Sequence, residues 1–133
     1  MPRVLHPLLV LALVSVFAVG ACSSGDSGTA TEAVRVVAAV DAVDVLDERT
    51  VIDVRTSEEF AAGHVAGAIN INVEAADFRE QIAALDAEDA YLVYCRSGRR
   101  SALAADQMAE AGFSDIIDAG GLEALAEAGA LIE

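Results

Sequence analysis

Residues 91–112 read YLVYCRSGRRSALAADQMAEAG, and the fold depends on how this stretch divides. Tyr91–Tyr94 is an unbroken apolar run, the pattern of a strand buried on both faces of a sheet. From Arg99 onward the spacing is helical, with Ala104, Met108 and Ala111 along one side and Gly112 as a C-terminal stop. Between strand and helix lie a thiol, Cys95, and the tight loop Arg96-Ser97-Gly98-Arg99-Arg100. A strand passing through a short loop into a helix is the repeating step of an α/β domain with a mostly parallel sheet. Ligands of such sheets sit beyond the carboxyl ends of the strands, which is where Cys95 falls.

The same alternation extends in both directions. Upstream, VRVV (34–37) reads as a strand and AAVDAVDVLDE (38–48) as a helix with Val40, Val43 and Leu46 on one face. TVIDVR (50–55) reads as a buried strand, and SEEFAAG (57–63) as a short helix opened by Ser57 and closed by Gly63. AINI (68–71) is a short strand, and FREQIAALD (78–86) a helix that gathers Phe78, Ile82 and Leu85. Downstream come a strand, DIIDA (115–119), and a last short helix, LEALAEAG (122–129).

The first 33 residues have a different character. MPRVLHPLLVLALVSVFAVGAC carries one early arginine, then an apolar run from Leu8 to Val19 that is too short to span a bilayer comfortably, for which about 20 residues are needed. It fits the apolar region of a signal peptide, residues 1–21. Its ending, VGAC, resembles the lipobox of bacterial lipoproteins. The resemblance implies that Cys22 is lipidated, becomes the first residue of the mature chain, and anchors an extracytoplasmic protein to a bacterial membrane. An ordinary signal peptide, or an uncleaved anchor with an incidental cysteine, is the alternative. Residues 22–33 then form the lipidated cysteine and a Ser/Gly/Thr-rich flexible linker, which leaves one domain at 34–133.

Charge narrows the function. The chain has 22 acidic and 8 basic residues, no lysine, and a net charge of -14. That balance excludes the basic footprint of nucleic-acid binding and electrostatic docking on an anionic membrane. Without residues 1–21 the balance is 7 basic against 22 acidic side chains, a net charge of −15. Three of those seven, Arg96, Arg99 and Arg100, stand within five positions directly after Cys95. With Cys22 committed to lipid, Cys95 has no disulfide partner, and with His64 as the single histidine of the mature chain a Cys/His zinc site is not expected. No metal or cofactor is called for.

Three effects favour a thiolate at Cys95: the unpaired amides and partial positive charge at a helix N-terminus, the anion-binding concavity of successive loop amides, and the three arginines. Gly98 permits the sharp turn. A buried, inert cysteine beside surface arginines is the alternative, but it leaves the clustering of charge unexplained.

The chain resembles the single-domain rhodanese family, the thiosulfate sulfurtransferase-like proteins. VIDVRTSEEFAAGHVAGAINI (51–71) is similar to the family's N-terminal signature, YLVYCRSGRRSALAA (91–105) to its active-site strand, loop and helix, and GFSDIIDAGGLEAL (112–125) to its closing strand and double-glycine turn. The resemblance implies a ping-pong reaction. Cys95 takes sulfur from a small anionic donor such as thiosulfate, holds it as a persulfide cradled by residues 96–100, and passes it to cyanide, a thiol or an acceptor protein. Arg100 is the first choice for anion contact and Arg96 the second. Asp53 is expected to brace the loop, Arg55 to pair with Glu59 four residues on, and His64 to serve the scaffold. One departure is Leu125, where the family often has tryptophan; the chain has none.

Two rivals stand beside this. Phosphatases and arsenate reductases also hold a thiolate in an anion cradle, but need Cys-x5-Arg, and position 101 is serine. A membrane-bound persulfide carrier or sulfur sensor with little turnover is the other.

Overall fold

The apolar run of residues 91–94 forms the middle of the sheet. A computed structural model of the chain describes residues 33–133, so the expected signal peptide, Cys22 and the expected linker through residue 32 lie outside the described residues. Five strands are present: β1 (Val34–Val36), β2 (Thr50–Asp53), β3 (Ile69–Asn70), β4 (Ala90–Cys95) and β5 (Asp115–Gly121). Their order is β1-β5-β4-β2-β3, and all four pairings are parallel. The helices are α1 (Ala39–Val43), α2 (Ser57–Ala61), α3 (Phe78–Ala83), α4 (Arg99–Glu110) and α5 (Leu122–Glu127), with a 3-10 turn at Leu46–Glu48. This is a single α/β domain whose parallel sheet is flanked by helices. Among the described residues no helix is long and apolar enough to cross a membrane.

The unbroken apolar character of β4 follows from its place between β5 and β2. Successive side chains point to opposite faces, and both faces are covered. Tyr91, Val93 and Cys95 join Ile52, Val54 and Ile116 on one face, under Phe78 and Ile82 of α3 and Ala104, Ala105 and Met108 of α4. Leu92 and Tyr94 join Val51, Ile117 and Ala119 on the other, under Ala42 of α1 and Leu125 of α5. Each large side chain buried this way contributes about 1.5–3 kcal/mol. Every parallel strand needs a crossover to return to the same end of the sheet, so the strand ends, and the loops that follow them, collect on one side.

Several local expectations change. The spacing of Val40, Val43 and Leu46 does not define one helical face, because α1 stops at Val43 and Leu46 belongs to the 3-10 turn; Val40 is 61% exposed while Ala42 is buried. Ala111 is exposed because α4 ends one residue before it, and Leu85 packs against the core from beyond α3. The residue that opens α2 is Thr56, not Ser57. Its hydroxyl accepts from the Glu59 amide at 3.3 Å, while Glu59 Oε2 accepts from the Thr56 amide at 3.1 Å, a reciprocal capping box.

Candidate active site

Cys95 ends β4, and Gly98 opens α4 with φ 97°, a backbone that a side chain rarely adopts. The turn folds the loop back over the sulfur. The Gly98 amide donates to Cys95 Sγ at 2.9 Å, and Ser101 Oγ lies 3.7 Å from the sulfur. The Ser101 hydroxyl donates to Gly98 O at 3.0 Å, with Gly120 O at 3.5 Å. Cys95 is 0% exposed. That burial works against ionisation. The Ser101 amide and hydroxyl and the Ser97 and Gly98 amides outweigh it, and hold the thiol below its ordinary pKa. These are the orphan donors of a helix's first turn, turned toward a sulfur anion.

The loop is held from below by β5. The pairing of β4 with β5 shifts register between Val93 and Cys95, so that Val93 faces Asp118 but Cys95 faces Gly121. The extra residue on β5 is absorbed near Gly120, which has φ 77° and whose amide donates to Asp118 Oδ1 at 3.1 Å. A Cβ on Gly121 would stand 2.5 Å from Arg96 O, and one on Gly98 would stand 3.5 Å from the Gly120 Cα. The double glycine is therefore a close backbone contact beneath the loop, not only a turn.

The three arginines have different surroundings. Arg100 is forked onto Glu59, with Nη1 to Oε2 at 2.7 Å and Nη2 to Oε1 at 2.8 Å, and its Nη1 also reaches Glu74 Oε2 at 3.4 Å. The fork onto Arg100 holds the Glu59 carboxyl down at about 2. In turn Glu59, outweighing burial, and the nearby Cys95 raise the Arg100 pKa. Arg96 and Arg99 are exposed. Arg96 borders a groove of about 460 Å³ with Arg55, Glu59, Leu122, Ala126 and Ile132. Arg99, Arg100 and Ser97 border a second depression of about 540 Å³, with Glu74 and Leu103.

Arg55 does not pair with Glu59. It lies at a bend before α2, so the four-residue spacing does not place the two side chains on one helical face. Its guanidinium donates instead to Asp53, Nη2 to Oδ2 at 2.6 Å and Nε to Oδ1 at 2.9 Å, and to Gly63 O at 2.7 Å. Tyr94 completes this buried group by donating to Asp53 Oδ2 at 2.8 Å and accepting from the Val65 amide at 3.0 Å. Burial raises the Tyr94 pKa, so the phenol stays protonated. Asp53, beside Tyr94 in the register of β2 and β4, thus joins strand ends on the face opposite Cys95. His64 stacks on Phe60 with centroids 3.6 Å apart, and its Nδ1 meets Phe60 O at 2.9 Å. Leu125 is wholly buried in the core beneath α5.

Ser101, Glu74, Tyr94 and the packing role of Gly120 and Gly121 were not legible as parts of the site. For Ser101 the signal was present: a helix that starts at Gly98 puts residue 101 in its first turn, facing the strand end.

Comparison with known proteins bears on what this arrangement serves. A family model described as a rhodanese-like domain matches residues 29–128. The chain is similar to thiosulfate sulfurtransferase PspE of Escherichia coli (strain K12), with 40% identity across 56% of this chain and 72% of that protein. It is also similar to the chloroplastic thiosulfate sulfurtransferase 16 of Arabidopsis thaliana, with 40% identity across 59% and 74%. Among solved structures, a rhodanese-related protein from Thermoplasma volcanium superposes with a TM-score of 0.66 at 30% identity, covering 74% of this chain and 97% of that one. A rhodanese with anions from E. coli gives 0.55 at 34% identity, covering 64% and 96%.

Proposed function

The chain belongs to the rhodanese-like domain family, and from that premise we propose that it is a sulfurtransferase that carries sulfane sulfur on Cys95. The observation that carries this reading is the sulfur at the end of β4 with the Gly98 amide 2.9 Å away and its pKa lowered by first-turn amides. Similarity to proteins named as thiosulfate sulfurtransferases supports the donor class.

In the first half-reaction the Cys95 thiolate attacks the outer sulfur of thiosulfate. The thiosulfate S–S bond breaks, and sulfite departs with its electron pair. Cys95 is left as a persulfide anion, and no redox partner is needed. In the second half-reaction cyanide or a thiolate attacks the outer sulfur and Cys95 returns as thiolate. This is covalent catalysis by an activated nucleophile. Amides of residues 96–100 are the groups that stabilise the anionic persulfide, and Arg100, then Arg96, the groups that meet the donor's oxyanion.

The complete burial of Cys95 favours a second reading, a persulfide carrier with low turnover, since a covered sulfur exchanges slowly with small molecules in solution. One experiment tests both. Incubation with thiosulfate or a polysulfide is expected to add one sulfur to the protein mass, and Cys95→Ser to abolish the addition. Steady thiocyanate production with cyanide supports the enzyme, and loading without turnover supports the carrier. A protein that gains no sulfur from any sulfane donor is neither.

The lipobox-like VGAC supports anchorage of this activity to a bacterial membrane, facing away from the cytoplasm, through lipid on Cys22.

A further inference from the structure

Arg100 is held by two carboxylates that are not equivalent. Glu59 grips it with two short bonds, 2.7 and 2.8 Å, and is itself fixed by the capping box with Thr56. Glu74 makes one long contact, 3.4 Å, to the same Nη1 that Glu59 uses. Its side chain is 59% exposed and follows the short β3 on a turn where Asn72 Oδ1 accepts from the Glu74 amide at 2.9 Å. Removing Glu59 would free the guanidinium to reorient. Removing Glu74 would leave it clamped and merely uncover one side.

That side faces the depression of about 540 Å³ beside the loop, and Glu74 is the one carboxylate among its five lining residues. An anion entering there meets Ser97, Arg99 and Arg100, and a negative charge already on station. We propose that Glu74 determines donor specificity, competing with the oxyanion of the sulfur donor for Arg100 and so disfavouring doubly charged donors relative to singly charged ones. The proposal rests on the sulfurtransferase reading of Cys95 and deepens it.

The physics sets the size of the effect. Glu74 is exposed and its contact long, so its hold on Arg100 is weak, and its influence falls with added salt. Thiosulfate carries two negative charges; a thiosulfonate, with an organic group in place of one oxyanion, carries one. Both offer the same outer sulfur to Cys95. The charge of Glu74 opposes the first more than the second.

The test measures KM and kcat of the protein and of Glu74→Gln with thiosulfate and with benzenethiosulfonate, at low and high salt. The expected result at low salt is a fall of about two- to five-fold in the thiosulfate KM. The thiosulfonate KM should fall less and kcat hold nearly constant, and the difference between donors should shrink at high salt. An equal change for both donors, no change, or a loss of kcat without a change in the KM ratio overturns the role of Glu74 while leaving the sulfurtransferase reading intact. Failure of both donors, and of polysulfide, to load sulfur onto the unmodified protein overturns that reading, and this proposal with it.

Discussion

At the scale of single residues, Ser101 stands in the first turn of α4 with its hydroxyl oxygen 3.7 Å from the Cys95 sulfur. Its amide and its hydroxyl both favour the thiolate. Its neutral hydroxyl also occupies the position at which a Cys-x5-Arg enzyme would carry an arginine. Ser101→Ala removes the hydroxyl but leaves the amide. The pH at which Cys95 becomes reactive is expected to rise toward that of an ordinary cysteine, with slower alkylation below it, and stability is expected to fall by about 1 kcal/mol through the lost bond to Gly98 O. Iodoacetamide rates across pH check the first, and urea midpoints the second. An unshifted profile would assign the whole effect to the amides. The sequence made Cys95, Gly98 and the loop legible because they are consecutive. It counted all three arginines among the effects that favour the thiolate, yet Arg100 is spoken for by carboxylates 41 and 26 residues away, and such pairings leave no local trace.

At the scale of elements, Glu59 belongs to two devices: it caps α2 and forks onto the start of α4. The fork depresses its pKa from 4.5 to about 2. A carboxyl depressed in the folded state adds stability at pH values above its unfolded pKa, and this is lost as pH falls through the folded value. Glu59→Gln is therefore expected to cost about 1 kcal/mol at pH 7, with the gap from the unmodified protein narrowing as pH drops from 4.5 toward 2. Urea midpoints at pH 7, 4 and 2.5 check this, and a gap constant over that range would show that the fork is not what depresses the group. The strands were readable because both faces of the central ones are covered, so YLVY is unbroken by charge and VIDV is interrupted only by Asp53. Helix ends were less readable. α1 is five residues long, and a pattern spaced over seven, from Val40 to Leu46, cannot report on it. The buried group of Asp53, Arg55 and Tyr94 was hidden for the reason that hid Glu59: a spacing of four is informative only inside a helix, and Arg55 lies outside one.

At the scale of the whole molecule, the sequence reading of a single α/β domain with a mostly parallel sheet holds, since each crossover leaves its own strand and helix in the pattern. The double glycine was visible as a turn, but its contact with the loop backbone comes from the one-residue shift between β4 and β5, which no periodicity carries. The proposal that Cys22 bears lipid is checked by metabolic labelling with a fatty acid. Label is expected on the protein and absent from Cys22→Ser; a labelled Cys22→Ser variant would place the lipid elsewhere.

The parallel sheet has a directional consequence. Val34 pairs with Ile116 near the start of β5, whereas Cys95 pairs with Gly121 at its end. Five residues of strand, roughly 16 Å, separate those levels. Chain preceding Val34 therefore joins the domain at the amino end of the sheet, and the thiol opens from the carboxyl end. Whatever is joined ahead of Val34, a tag or a tether, therefore attaches about a strand's length from the loop around Cys95 and leaves that loop's packing untouched.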